Sequence, residues 1–234
     1  MSDGTQVRIS KADPSTLRVL GGLAEDIEAI LVKYPNIRSA TLPLLFLGQS
    51  VEGYVTEDGM RDVAAILGLA PAEVLAVASF YTMLKKTPQG EYLISVCRNI
   101  SCTHRGGRKV LQAAEHRLGV SAGAMTPDGK FSLEAAECLG TCDGAPSLQI
   151  NYEDFYSVSP DEMVSLIDSI ERGDAVTSVA GETVQDSKAI ARETALTGSM
   201  HFRNRSAPES MPTFGGETSP ADDGPGTTTG GSGG

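Results

Sequence analysis

The side chains best suited to chemistry are four cysteines in two pairs: Cys97 and Cys102, with four residues between them, and Cys138 and Cys142, with three. Thirty-five residues separate the pairs. Thiolates grouped this way are soft ligands, and three chemistries use them: a zinc ion, an iron-sulfur cluster or two disulfides. Structural zinc sites most often use a gap of about two residues but tolerate up to about four, and a gap of about four also occurs in plant-type 2Fe-2S ferredoxins. Spacing alone therefore leaves zinc and a cluster as equal candidates.

Two other sulfur chemistries fit less well. Dithiol exchange needs two cysteines close together at a helix start, usually as CxxC, and neither pair has that spacing. A Rieske centre needs two histidines on one iron. Cys102-Thr103-His104 supplies half of such a pattern, but no histidine lies near Cys138 or Cys142. His104 is then a surface residue or one that backs a ligand, and His116 and His201 read as solvated.

The rest of the chain limits the setting of these thiols. Its 234 residues suffice for one or two domains with a hydrophobic core. The net charge of -11 and the lack of a basic stripe argue against a nucleic-acid surface. The longest apolar run, residues 42–47, contains Pro43 and falls far short of the roughly 20 residues of a membrane helix. The first dozen residues lack the apolar core of a secretory signal, which predicts a reducing compartment and metal ligation in preference to disulfides. A mitochondrial mature chain with its targeting segment removed would look the same.

The elements that must position the thiols follow from periodicity and capping. Residues 1–12 are polar and expected to be flexible. Asp13 and Pro14 suit a helix start, and Leu17, Leu20, Ala24, Ile27 and Leu31 form one stripe on a helix ending near Tyr34-Pro35. Residues 39–49 read as a short buried helix with Pro43 in its first turn. Thr56 caps a third helix that Gly68 stops, and Pro71 opens a fourth that ends at Phe80-Tyr81. Four short helices leave apolar area exposed, so part of this unit is expected to dock a partner; the plainer alternative is that the stripes are core alone.

After a linker-like stretch, residues 85–90, the period changes. Residues 91–96 read as a strand with Cys97 at its end, 104–118 as a helix, and 131–133 as a short strand entered through the turn Thr126-Pro127-Asp128-Gly129. Residues 147–151 and 155–158 alternate as a hairpin around a turn at 152–154. Ser159, Pro160 and Glu162 start a last helix that Gly173 ends. The order βαβ then ββα is that of a thioredoxin-like domain with a right-handed crossover.

The expected class is α+β: a helical bundle over residues 13–86, a thioredoxin-like domain over 87–175, and a disordered tail over 176–234. The tail is rich in Gly, Ser and Thr, and its closing Gly-Thr-Thr-Thr-Gly-Gly-Ser-Gly-Gly reads equally as natural tail or appended linker.

The segments Val96-Cys97-Arg98-Asn99-Ile100-Ser101-Cys102 and Glu137-Cys138-Leu139-Gly140-Thr141-Cys142-Asp143-Gly144-Ala145-Pro146 resemble the thioredoxin-like 2Fe-2S family. Pro71-Ala72-Glu73-Val74 and Ala78-Ser79-Phe80-Tyr81-Thr82 add to the likeness, which runs in order from residue 15 to 172 and points to the E subunits of NADH-quinone oxidoreductase, respiratory complex I. The chain departs from the family in its tail and at Gly144, where a bulkier apolar residue is common.

The resemblance implies that Cys97, Cys102, Cys138 and Cys142 ligate one 2Fe-2S cluster, two thiolates to each iron. It further implies a partner subunit carrying FMN and the NADH site, with other hydrophilic-arm subunits. The cluster would exchange single electrons with that flavin, and the chain would lie in the cytoplasm, peripheral on the inner membrane, with no substrate site of its own. A diaphorase subunit of an NAD-linked hydrogenase or formate dehydrogenase is the alternative with the same chemistry. A structural zinc-binding, thioredoxin-like interaction module is the alternative from another class.

A cluster on four thiolates is anionic, so nearby cations and amide donors favour its reduced form. Arg98, Arg105, Arg108 and Lys109 follow the first thiol closely, and Arg98 or Arg105 is expected to raise the potential; the alternative is an ordinary solvated helix face. Gly140 and Gly144 are expected to let backbone N–H groups approach the sulfurs, or else are simple turn residues.

Overall fold

A computed structural model describes residues 12–198. The expectations for residues 1–11 and 199–234, His201 included, lie outside the described residues. Among those described, the helices are α1 (Ala24–Leu31), α2 (Thr41–Glu52), α3 (Glu57–Leu67), α4 (Pro71–Phe80), α5 (Ile100–His104), α6 (Gly107–Leu118), α7 (Pro160–Arg172) and α8 (Ser187–Thr197). The strands are β1 (Tyr92–Cys97), β2 (Phe131–Ala136), β3 (Leu148–Ile150) and β4 (Glu153–Phe155). The arrangement is α+β, as expected.

The strands form one mixed sheet in the order β2-β1-β3-β4. β1 runs parallel to β2 from Tyr92 opposite Phe131 to Cys97 opposite Ala136, and antiparallel to β3, with Val96 opposite Leu148. Ile94, Val96, Leu133, Leu148 and Ile150 share a buried core with Val110 and Ala114 of α6 and Met163 and Ile167 of α7. The capping box at α7 forms as expected: Ser159 Oγ accepts from the Glu162 N–H at 3.2 Å, and Glu162 accepts from the Ser159 N–H at 2.7 Å. A second core, built on Leu44, Leu47, Val63, Ile66 and Val74, lies among α1 to α4.

Three expectations need correction. Asp13 does cap a turn and Pro14 does open it, but the turn is a 3-10 segment, Pro14–Thr16, and α1 begins only at Ala24. The buried carboxylate of Asp62 takes the N–H groups of Arg18, Val19 and Leu20 at 3.1, 2.7 and 2.9 Å, so a long-range acceptor replaces the helical ladder there. The helix expected over 104–118 starts later, as α6 at Gly107; the short α5 ends at His104, and Gly106 at φ +103° separates the two. The hairpin turn sits earlier than expected: Asn151 and Tyr152, both at positive φ, form a two-residue loop between Ile150 and its partner Glu153.

The largest departure is at 176–198, which is structured. Val176 and Val184 join the sheet core, and Thr177 bridges Thr183. Asp186 then caps α8 by accepting from the N–H groups of Lys188 and Ala189, both at 2.9 Å. Ala191 and Ala195 of α8 pack into the N-terminal core against α2. The expectation of disorder rests on average composition, and that average dilutes a few well-placed apolar residues with the glycine-rich run beyond them. Among the described residues no single helix is long and apolar enough to cross a membrane.

Asp62→Ala leaves three N–H groups without their charged acceptor and should cost about 3 kcal/mol of unfolding free energy. Urea unfolding followed by circular dichroism measures this, and a loss below about 1 kcal/mol contradicts the role given to Asp62.

Candidate metal centre

The site lies at the end of β1. Cys97 is its last residue; its N–H donates to the Ser147 carbonyl at 3.2 Å, and the Arg98 N–H donates to the Ala136 carbonyl at 2.9 Å. β2 and β3 flank β1 on opposite sides, so the loop from the end of β2 to the start of β3 has to pass over the end of β1. That loop carries Cys138 and Cys142. Cys102 lies on α5, which Asn99 caps by accepting from the Ile100 N–H at 2.7 Å.

The thiols differ in exposure. Cys97 and Cys102 are buried together with Ala145, whereas Cys138 and Cys142 are exposed; all four are free. Burial pushes the Cys97 thiol above its ordinary pKa, amide N–H groups of Asn99 and Leu139 pull it back in part, and the adjacent Cys102 thiol adds to the rise. The Leu139 contact joins the two cysteine segments directly. Among the described residues no three His, Cys, Asp or Glu side chains gather as a group able to hold a metal ion. A two-iron centre asks only for thiolates in pairs, and four free thiols, with amide donors at Cys97 and Cys138, are a donor set that fits one.

Of the two glycines, Gly140 brings its amide to a cysteine sulfur. It adopts φ +77°, and its N–H points at the Cys138 sulfur at 3.4 Å. Gly144 does not: its N–H donates to the Thr141 carbonyl at 3.1 Å, and a Cβ there would meet the Tyr156 ring at 2.3 Å. Gly144 is therefore required by close packing against Tyr156, which also explains the lack of a bulkier residue.

The arginines divide similarly. Arg98 is exposed and paired with Glu137, beside Cys138. Arg105 donates from Nε to the Ala145 carbonyl at 2.8 Å, which fastens the end of α5 to the loop that follows Cys142. Arg108 and Lys109 are exposed on α6, the solvated face of the alternative reading, and His104 is exposed at the end of α5. His116 is exposed on α6, in line with a solvated side chain. The Ala145–Pro146 peptide is cis.

Three residues at the site escaped the sequence reading. Gly107 starts α6 so close to the first pair that a Cβ would lie 2.9 Å from the carbonyl oxygens of Cys97 and Cys102; the Gly106-Gly107 doublet after Cys102 was the available signal. Ser147 and Thr141, both buried, lie behind Cys102. The Ser147 Oγ is 3.5 Å from the Cys102 sulfur, and Thr141 Oγ1 donates to Ser147 Oγ at 2.8 Å. No local pattern distinguishes these hydroxyls from ordinary loop residues. Beside exposed Cys138, a groove of about 540 Å³ runs past Glu134, Gln149 and Tyr152 to Met83 and Thr82 at the end of the helical unit.

The family model of the thioredoxin-like [2Fe-2S] ferredoxins matches residues 27–171, well over half of the sequence, and the chain belongs to that family. It is 43% identical over 152 residues to the NADH-quinone oxidoreductase E subunit of Mycobacterium tuberculosis, covering 65% of this chain and 60% of that one. It is 35% identical over 157 residues to a second E-type chain of NADH-quinone oxidoreductase, from Rhizobium meliloti, covering 67% and 94%. The match therefore spans about three fifths of the mycobacterial relative's length. Among solved structures, a NAD+-reducing [NiFe]-hydrogenase in its H2-reduced state shares the fold at a TM-score of 0.50 and 23% identity, over 57% of this chain and 22% of that one.

Gly144→Ala should destabilise the chain by about 1–3 kcal/mol through the clash with Tyr156, and by much less in a Tyr156→Ala background. Equal costs in both backgrounds, measured by denaturant unfolding, contradict the packing explanation.

Proposed function

We propose that this chain is the peripheral 2Fe-2S electron-transfer subunit of an NADH-quinone oxidoreductase, with one cluster held by Cys97, Cys102, Cys138 and Cys142, two thiolates to each iron. The observation that carries the proposal is the passage of the 138–142 loop over the end of β1, where Leu139 packs against Cys97 and Cys102, within a fold of this family. The similarity to E subunits supports the choice of complex. When bound, such a cluster takes up and returns single electrons.

The chain's own residues supply a site for that exchange. Cys97 and Cys102 are kept from water beneath Ala145, and Cys138 and Cys142 face outward. The partner is a larger subunit carrying FMN and the NADH site, and electrons pass between that flavin and this chain. Other subunits of the hydrophilic arm complete a complex that is peripheral on the cytoplasmic side of the inner membrane. The exposed Leu75, Phe80 and Tyr81 on and just beyond α4 are the apolar surface available for docking. Oxidation of NADH belongs to the partner, and this chain carries no substrate site.

Protein purified without oxygen should be brown, bleach with dithionite, and contain iron and acid-labile sulfide in equal amounts. Replacing Cys97 or Cys138 with Ser should abolish or alter that spectrum. A colourless wild-type protein with stoichiometric zinc overturns the proposal in favour of a structural zinc module. Isolation of the native complex identifies the partner: an FMN- and NADH-binding subunit with quinone-reducing neighbours is expected, and hydrogenase or formate dehydrogenase subunits would make the chain part of a diaphorase.

The arginines give a second test. Arg105→Glu should lower the reduction potential, and Arg98→Glu should lower it less, because Glu137 already offsets that charge. Redox titration showing no fall in either variant removes both from the tuning of the site.

A further inference from the structure

We propose that Ser147, backed by Thr141, is a positioning residue that favours the reduced state of the site by donating a hydrogen bond to the Cys102 sulfur. The inference rests on the cluster assignment above. Ser147 and Thr141 are 2% and 4% exposed, so neither hydroxyl has water as a ready alternative partner. The Ser147 Oγ is 3.5 Å from the Cys102 sulfur, an ordinary distance for a bond to sulfur.

The direction of this bond follows from counting protons. A thiolate bound to iron carries no S–H, so any hydrogen bond in this contact uses the Ser147 proton. The Ser147 oxygen in turn accepts from Thr141 Oγ1 at 2.8 Å, which leaves the serine's single proton free for the sulfur. Accepting one bond also polarises the O–H that makes the next. The backbone holds this geometry, because the Ser147 carbonyl accepts from the Cys97 N–H at the end of β1.

One-electron reduction makes and breaks no bond at this position, and no proton leaves either hydroxyl. It raises electron density on the ligand sulfurs, and a donor already aimed at one of them stabilises that added charge. The Asn99 and Leu139 amides act in the same sense on Cys97. They belong to the backbone, whereas the two hydroxyls can be removed singly.

The test is an EPR-monitored redox titration of the full-length, cluster-loaded chain. Ser147→Ala should reduce the reduced-to-oxidised ratio at a fixed ambient potential by about threefold to tenfold, tenfold being about 59 mV for one electron. Thr141→Val should shift it in the same direction by less, and Ser147→Thr, which keeps the hydroxyl, should stay near wild type. The deuterium sensitivity of the Fe–S stretching bands in resonance Raman spectra should also fall in Ser147→Ala. An unchanged potential in Ser147→Ala, with the cluster spectrum intact, overturns the hydroxyl's role and leaves the cluster assignment standing. Folded Ser147→Ala and Thr141→Val proteins that both fail to take up a cluster overturn it too, because groups that only tune the site leave assembly intact. A wild-type chain with no cluster removes the assignment beneath both.

Discussion

The backbone pairing at the end of β1 is the constraint on which the site depends. Parallel pairing places the end of β2 beside Cys97, antiparallel pairing places the start of β3 on its other side, and the chain joining them must cross between. The crossing is fixed on both flanks, by Arg98 N–H to Ala136 and Cys97 N–H to Ser147. Two segments that carry cysteine pairs thirty-five residues apart thereby meet at the end of β1, with Leu139 packed against Cys97 and Cys102. α6 holds the arrangement from below, and only glycine at position 107 lets its first turn approach the carbonyl oxygens of Cys97 and Cys102 so closely.

This topology also makes the thiols unequal. The pair on β1 and α5 sits beneath the crossing loop, while the pair within the loop faces outward. A charge on the inner sulfurs is poorly solvated, so it depends on groups fixed in place: the Asn99 and Leu139 amides and the Ser147 hydroxyl. The outer sulfurs have solvent, the Gly140 amide and the charge pair Arg98–Glu137 nearby. Inner donors therefore act in a low-dielectric setting where each counts for more, and outer charges are screened.

What could be read in the sequence was whatever local chemistry decides. Thr56 before α3 and Ser159 with Glu162 at α7 are caps whose partners lie within three residues, and each forms, while Pro71 opens α4 at its first helical position. The four cysteines were legible by type alone. What could not be read depends on partners far along the chain. The Asp62 carboxylate takes over the backbone of residues 18–20 from more than forty residues away, so a regular apolar stripe does not become a helix. Asn151 adopts positive φ in the hairpin turn, and its side chain serves three distant backbone groups: it accepts from Leu93 N–H at 2.7 Å and donates to the carbonyls of Glu91 and Gln185 at 2.9 and 2.8 Å. Ser147 and Thr141 acquire meaning only once the loop has crossed β1.

Asn151 also explains why α8 belongs to the fold. It joins the start of β1, the β3–β4 turn and the segment that leads into α8, whose Ser187 N–H then donates to the Glu91 carbonyl at 2.9 Å. From there α8 lies along α2, with Lys188 reaching the Val51 carbonyl at 2.9 Å and Arg192 paired with Asp26 at 2.6 Å. Lys85 pairs with Glu134 on β2 at 2.8 Å, and half-buried Tyr152 donates to the Met83 carbonyl at 3.3 Å, so the chain just after α4 is fastened to the sheet as well. Burial and the nearby Glu134 carboxylate both push the Tyr152 phenol up, which keeps it a neutral donor at that junction. The helical unit is thus tied to the sheet at two places, one through α8 and one through residues 83–85. Exposed Phe80 and Tyr81 lie just before the second tie, at the head of the segment whose Thr82 and Met83 line the groove beside Cys138. A surface that grips that aromatic pair is held in fixed relation to the outer thiols.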